Sequence, residues 1–411
     1  MGIREEALKL HKEKKGKLEI KLKMDIKNKK DLSLAYTPGV AQVCREIAED
    51  KNKVFDYTIK NNTVAVVTDG SAVLGLGNIG PEASLPVMEG KCALFKEFAN
   101  IDAFPICLDT QDAKEIIDIV KKISPGFGGI NLEDISAPRC FEVEEALQDI
   151  GIPVFHDDQH GTAIVVLAAL INAARVVGKK IENLKIVISG SGAAGIAVSK
   201  MLLCFNIDKK ICIPVKNIIL MDSKGAVYHC RENLNKTKKL MATITNAECT
   251  GKEYDSENEK CRNCQRGELE KALEGADVFI GVSKGGLMRK EMIKKMNPKP
   301  IIFALANPIP EIMPDEAKVE GAAVIGTGRS DYPNQINNVL VFPGIFKGAL
   351  EANARVINNE MKIAAANALA SCVDNPTAEK IIADPFDKEV VKRVSEAVKN
   401  AAIETGAVKS R

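Results

Sequence analysis

The chain reads as an α/β protein built on mostly parallel sheets, and three observations point there. Short β-branched runs alternate with helical stretches from about residue 54 onward. The runs are continuously apolar, as strands covered on both faces are. One of them leads through a glycine-rich turn straight into a helix. Such alternation is the pattern of α/β architecture.

Taken in order, "TVAVVTDG" (63–70) is expected as a strand ending in a turn, and "DAFPICLDTQD" (102–112) as another. "EIIDIVKKISPGFGGINLEDI" continues as helix, Pro/Gly turn and strand. A boundary falls near residue 160, where "HGT" passes into a long Ala-rich helix ending at Gly178. This gives an N-terminal α/β domain over 1–160 and a second domain over 161–411. "NLKIVISGSG" starts the second sheet, and "NIILMDSKG", "ADVFIGVS" and "PIIFALANP" extend it. From about 350 the chain is rich in Ala, Glu, Lys and Val and is predicted to be helical to its end.

With 411 residues, 45% hydrophobic and 27% charged, the chain is long enough for two or three buried cores. A net charge of +2 gives no global sign of nucleic acid or membrane partners. Ten lysines lie in the first thirty residues, but Glu5, Glu6, Glu13, Glu19 and Asp25 are mixed among them. That reads as a solvated, partly helical arm. The N-terminus lacks the apolar run of a signal peptide, and "AIVVLAALINAARVVG", broken by Asn172 and Arg175, is judged too short to span a bilayer. Eleven cysteines without a secretory signal are expected as reduced thiols in a cytoplasmic setting, with Cys44, Cys92 and Cys107 as core fillers.

"GSGAAG" (190–195) is a G-x-G-x-x-G that follows the strand "KIVIS" and opens a helix. Gly190 permits the tight turn, Gly192 lets a pyrophosphate approach the backbone, and Gly195 allows close helix–strand packing. With Ser191, Ala193 and Ala194 these residues form the candidate dinucleotide loop, so the second domain is expected to be Rossmann-type, a doubly wound parallel sheet. Asp222 ends the next strand and could accept hydrogen bonds from an adenosine ribose, which slightly favours NAD; Lys224 could instead meet the 2′-phosphate of NADP.

"VFHDDQHGT" (154–162) places two of the chain's four histidines around two aspartates. Three readings compete. His156 and His160 stand at i, i+4 as in a zinc helix, but Pro153 and Gly161 suggest a turn instead. Asp157 or Asp158 could cap the helix that follows. One aspartate could bind a hard divalent ion, with further carboxylates from elsewhere. "GINLEDISAP" (129–138) offers Glu133 and Asp134 side by side at a strand end. Oxygen-only ligation suits Mg²⁺ or Mn²⁺ better than Zn²⁺.

Eight stretches occur together and in order: "LSLAYTPGVA" (32–41), "VTDGSAVLGLGNIG" (67–80), "PVMEGKCALFK" (86–96), "GGINLEDI", "PVFHDDQHGTA", the glycine loop, "FALANP" (303–308) and "TGRSDYPNQINNVLVFPG" (327–344). In this the chain resembles the small-subunit malic enzymes over roughly residues 30–370. The resemblance implies an N-terminal malic-enzyme domain, and an activity that oxidises malate and releases CO₂ to give pyruvate. It implies Glu133, Asp134 and Asp158 as metal ligands, with Asp157 beside them supporting metal and base. It further implies Tyr36 as general acid, Lys91 as general base, and Asn307 and Asn338 as holders of the substrate near the nicotinamide. Lys91 would need burial and a nearby cation to depress its pKa. Family members form dimers, so a homodimer is expected.

Two departures stand out. Large-subunit relatives carry a substrate-binding arginine where this chain has Ala72, as other small members do. "ECTGKEYDSENEKCRNCQRG" (248–267) lengthens the loop after Asp222; its Cys249, Cys261 and Cys264, with His229 or Cys230, are expected as an exposed insertion rather than a zinc site. A related 2-hydroxy acid as substrate, or a catalytically silent nucleotide-sensing Rossmann protein, are the rival functions.

Overall fold

The computed structural model describes residues 2–249 and 263–409. An arm comes first, with helices α1 (Ile3–Lys14), α2 (Lys29–Ala35) and α3 (Val40–Glu49). None of the three buries a residue. Leu18, Ile20, Leu22, Met24 and Ile26, between α1 and α2, are exposed as well. The helical, solvated arm expected from the lysine-rich sequence is there, but with an apolar surface that charge counting does not show.

After α4 (Val54–Tyr57) the chain alternates β1 (Thr63–Thr68), α5 (Pro81–Ala99), β2 (Asp102–Cys107), α6 (Ala113–Ile123), β3 (Gly129–Leu132), α7 (Arg139–Leu147) and β4 (Val154–His156). The strands form one sheet in the order β2-β1-β3-β4, every pairing parallel. Parallel neighbours need crossovers, and the helices supply them. A second run follows: α8 (Asp157–Val177), β5 (Lys185–Ser189), α9 (Ala193–Leu202), β6 (Asn217–Asp222), β7 (Gly225–Ala226), α10 (Lys236–Ile244), α11 (Leu269–Ala272), β8 (Val278–Gly281), β9 (Ile301–Ala304), α12 (Pro314–Val319) and β10 (Val324–Thr327). Its sheet has the order β10-β9-β8-β5-β6-β7, parallel except for the short β7, which runs back along β6. Strand order reverses between β5 and β8. In this architecture that is where a ligand crevice opens.

Helices α13 (Phe342–Glu351), α14 (Asn359–Ser371) and α15 (Lys388–Glu404) follow; contrary to the expectation of helix to the end, residues 372–387 and 405–409 are not helical, and Val408 bridges back to Ala354. The three helices pack on one another, and α13 also returns to the first sheet. There Phe342 and Phe346 meet Phe95 of α5 edge-on, with centroids 4.7 and 5.3 Å away. Phe346 also meets Phe155 of β4 at 5.9 Å. The main core thus runs continuously from the first sheet through α8 to the second sheet and the C-terminal helices.

Helix α8 corrects one expectation. At 21 residues it is long and apolar enough to cross a membrane by length and composition, contrary to the sequence reading, but most of it is buried within the fold. Its polar Asn172 donates to the carbonyls of Ala370 and Ile381, each at 2.9 Å, and so pins α8 to the C-terminal region. The cysteines differ from expectation too. Cys204–Cys212 and Cys249–Cys264 are disulfides, each closing a short loop. Cys230 is also disulfide-bonded. Cys92 is buried as expected, but Cys44 is exposed on the arm. Cys264 is therefore held by Cys249, and Cys261 lies outside the described residues.

The Phe95–Phe342–Phe346 contact ties residues far apart in sequence. Phe95→Ala should lower the unfolding free energy by about 3–5 kcal/mol, read as a lower urea midpoint. An unchanged midpoint would show that the C-terminal helices do not depend on this contact.

Candidate active site

Strands β3 and β4 are parallel neighbours in which Leu132 faces His156. Whatever follows each strand therefore emerges on the same edge. Glu133 and Asp134 follow Leu132, and Asp157 and Asp158 follow His156. Asp134 takes a positive φ of 54°, and its backbone N–H donates to Asp158 Oδ2 at 2.8 Å. One oxygen from each of Glu133, Asp134 and Asp158 lies within 4.8 Å of the others.

The helix α8 begins at Asp157, one residue after the strand, so "HDDQH" is not a turn, and the N-cap is His156 rather than an aspartate. The two histidines diverge. His156 is wholly buried with Nε2 3.5 Å from Asp158, and burial lowers its pKa to about 4. His160 Nε2 lies 2.6 Å from Glu144 of α7, and Lys362 of α14 lies 3.3 Å from its Nδ1. Gln159 donates to the second oxygen of Glu144 at 2.9 Å. Burial works to raise Glu144, but the charges of His160 and Lys362 outweigh it and bring its pKa down to about 2. Glu144, His160 and Lys362 thus lock the first turn of α8 between two other helices.

Lys91 projects from α5 into the acidic group. Its Nζ lies 2.5 Å from Asp157 Oδ2 and 2.9 Å from Glu133 Oε1, with all three side chains nearly inaccessible. The Phe342 ring stands 4.2 Å from the same nitrogen. Asn131 donates to Glu133 Oε2 at 2.8 Å. Burial pulls Lys91 down, but the carboxylates of Asp157 and Glu133 outweigh it and hold the ammonium above the ordinary lysine value. The depressed lysine expected from sequence is therefore not what the protein side chains alone produce. Burial pushes Glu133 and Asp157 up to about 7 and Asp158 to about 6; the attraction of Lys91 opposes this and the neighbouring carboxylates add to it.

Gly161 now has a reason. A Cβ there would stand 1.9 Å from Asp157 Oδ1 and 3.1 Å from the Cβ of Asn338. Asn338 in turn hydrogen-bonds Asp157. Asn307 lies farther out, exposed, where the loop after β9 meets the loop after β1: a Cβ on Gly75 would touch its carbonyl at 2.3 Å. Ala72 donates its backbone N–H to the Asp134 carbonyl at 2.9 Å, and Arg139 of α7 ties the same loop down through Asp69 Oδ2 at 2.7 and 3.1 Å and Ser71 Oγ at 2.8 Å. Tyr36 stands apart at the end of α2, 69% exposed.

The chemistry of the donor set fits a hard divalent cation. Glu133, Asp134, Asp157 and Asp158 face one lysine in a mostly buried space, and like charges there need compensation. Every donor is a carboxylate oxygen, the choice of Mg²⁺ or Mn²⁺.

At the second sheet, Gly190 (φ 122°) leaves β5 and donates to the Met221 carbonyl at 3.1 Å. A Cβ on Gly195 would lie 1.8 Å from the Gly190 carbonyl, so the helix α9 can approach the strand only with glycine there. Helix α9 starts at Ala193 with Gly192 as N-cap, turning backbone N–H groups toward the crevice. Asp222 stands beside this turn, but its carboxylate is already engaged by Arg231 and Lys238. Sequence reading missed Phe342, Gly161, Glu144, Lys362, Arg231 and Lys238. Of these only Gly161, a helix-interior glycine beside "HDDQH", carries a local signal.

Comparison with known proteins follows the same lines. A family model described as "Malic enzyme, NAD binding domain" matches residues 159–405, and one described as "Malic enzyme, N-terminal domain" matches 15–115. The chain is 55% identical to the bifunctional malic/malolactic enzyme of Bacillus subtilis (strain 168), over 99% of this chain and 94% of that protein. It is 45% identical to the NADP-dependent malic enzyme of Escherichia coli (strain K12), over 95% of this chain and 51% of that protein. The crystal structure of the NAD-dependent malic enzyme from Thermotoga maritima superposes with a TM-score of 0.87 at 50% identity, covering 96% of this chain and 98% of that one.

Raised carboxyls have a thermodynamic consequence. A carboxyl whose folded pKa exceeds its unfolded value stabilises the fold below the unfolded value and gives that up as pH rises through the folded one. Asp157 and Glu133, ordinarily 3.8 and 4.5 and here about 7, make the metal-free chain lose stability across that window. A divalent cation held there would bind the ionised form and restore that stability. Mn²⁺ should therefore raise the melting temperature more at about pH 7.5 than at about pH 5.5. Equal shifts at both would remove these carboxylates from metal binding.

Proposed function

The chain belongs to the malic enzyme family, and from that premise we propose that it oxidises (S)-malate to pyruvate and CO₂ with reduction of NAD or NADP. The observation that carries this reading is Lys91, held within 3 Å of both Asp157 and Glu133 at the edge of the three-carboxylate group. A divalent cation, Mn²⁺ or Mg²⁺, held by Glu133, Asp134 and Asp158 would polarise the C2 oxygen and offset the negative charge that keeps Lys91 protonated. Bound at the loop Gly190–Gly195, the nicotinamide cofactor would accept the hydride from C2.

The chain's own residues then move one proton. Lys91, freed of its proton, takes the one on the C2 hydroxyl as hydride leaves; Asp157 Oδ2, 2.5 Å away, steadies the resulting ammonium. The C3–C4 bond breaks, CO₂ departs, and the electron pair settles as an enolate, to whose oxygen Lys91 returns the proton. Lys91 then takes it back as Tyr36 protonates C3, and it resupplies Tyr36 for the next turnover. Asn338, bonded to Asp157, and Asn307 orient the substrate. Burial by Phe342 and the neighbouring helices excludes water from Lys91.

Tyr36 can act only when the arm is drawn onto the site. Its exposed neighbours Leu32 and Leu34, with Leu18 to Ile26, offer an apolar surface suited to a homodimer contact. We place the enzyme in the cytoplasm, where malate and nicotinamide cofactors are available; the disulfides are the feature that fits this least.

The deciding assay is nicotinamide reduction with L-malate and Mn²⁺, with NAD and NADP in parallel and pyruvate measured at the end. Reduction matched one-for-one by pyruvate is expected. No reduction by folded, metal-loaded protein would sink the reading. Lys91→Ala should cut kcat by about 10²–10⁴ while the chain stays folded; unchanged turnover would remove Lys91 as base.

A further inference from the structure

The adenosine end of the nucleotide crevice carries a charge arrangement that the sequence did not show. Ser189 of β5 faces Met221 of β6, so Asp222 emerges beside Gly190, where the adenosine ribose lies in this architecture. An aspartate there normally binds ribose with a free carboxylate. Here both oxygens are taken. Arg231 donates to them at 2.7 and 2.9 Å, Lys238 at 2.6 Å, and the Lys224 backbone N–H at 2.9 Å. A ribose 2′-hydroxyl would have to displace a charged donor to reach Asp222.

The cations outnumber the carboxylate. Arg231 and Lys238 both face Asp222, and the exposed Lys224 adds a third positive charge. Each is also held by its own surroundings. Arg231 Nη1 donates to the carbonyls of Gly225 and Ala226 at 3.2 and 3.0 Å, which fixes the guanidinium plane. Lys238 sits in the first turn of α10, where the Asn235 side chain caps its backbone N–H at 2.8 Å. The Lys238 side chain remains 25% exposed, with N–H groups to spare.

We propose that Arg231 and Lys238 receive the 2′-phosphate of NADP, and that Asp222 holds these two cations in place instead of binding ribose. A phosphate brings two negative charges to a site with surplus positive charge, and guanidinium and ammonium are its usual partners. This reverses the slight lean toward NAD drawn from Asp222 alone, and it rests on the reading of the chain as an NAD(P)-dependent enzyme.

The test uses the full chain and needs no turnover. Calorimetric titration with 2′,5′-ADP and with 5′-AMP reads the 2′-phosphate directly. The first is expected to bind more tightly by on the order of tenfold or more, the scale of a hydrogen bond to a charged group. Arg231→Gln and Lys238→Met should each erase most of that preference. In the malate assay both should lower the NADP-to-NAD ratio of kcat/KM by a similar factor. Equal affinity of the wild type for the two probes overturns the proposal, as does a ratio unmoved in both variants. If Arg231→Gln fails to fold, the wild-type comparison and Lys238→Met still decide. Preference for 2′,5′-ADP in a chain that does not oxidise malate would sustain this inference and sink the functional reading; malate oxidation without the preference would do the opposite.

Discussion

Four carboxylates crowd the ends of β3 and β4 with one lysine among them, and the rest of the structure is arranged around that imbalance. Unpaired buried charge is expensive, and a group so placed either neutralises or finds a counter-ion. Here both responses are visible. Glu133, Asp157 and Asp158 are pushed up into the range where they hold protons near neutrality. Lys91 is pulled in until two of the four lie within 3 Å. Neither response closes the gap. A chain that keeps such a cluster on rigid elements keeps a place for a cation.

Rigidity is supplied from far away in sequence. The first turn of α8 carries Asp157 and Asp158, and Glu144 from α7 and Lys362 from α14 fix it, while Asn172 anchors the later part of the helix to Ala370 and Ile381. Phe342 begins α13, packs on Phe95 of α5 and shields Lys91 of the same helix. Two contacts of one ring therefore set both the pose of α5 and the dielectric around its lysine. A small error in such a shell misplaces the reacting groups, and positions of this kind tolerate little change. Gly161 makes the same point at atomic scale, because one methyl group would collide with Asp157.

Much of this was legible along the chain, and the reasons divide by distance. The strands announced themselves through continuous β-branched runs, and the turn at Gly190–Gly195 through its place between strand and helix. The pairing of "LEDI" with "HDDQH" could be suspected because acidic doublets ending consecutive strands must share an edge if those strands are parallel neighbours. Helix starts were harder. Pro153 and Gly161 suggested a turn around the histidines, yet tertiary packing begins α8 at Asp157, and glycine serves close approach instead of a break. Partners from other elements had no local mark at all. Nothing near Lys362 says that it faces His160, 202 residues away. The expected depression of Lys91 presumed a nearby cation, and the side chains of Asp157 and Glu133 by themselves hold its ammonium high.

The two sheets use one device with opposite signs. At the first sheet, carboxylates exceed their cation; beside β6, cations exceed their carboxylate. Each surplus is stabilised by a single opposite charge that is itself buried or hydrogen-bonded: Lys91 at the first sheet, Asp222 at the second. That single charge orders its neighbours without neutralising them, which leaves a field for a ligand of matching sign. An acidic residue at the end of the second Rossmann strand is therefore a poor guide to cofactor choice by itself. What it touches decides the matter. An aspartate with free oxygens can accept from a hydroxyl, whereas one saturated by arginine and lysine, as Asp222 is, can do so only by displacing a charged donor, and the two are identical in sequence.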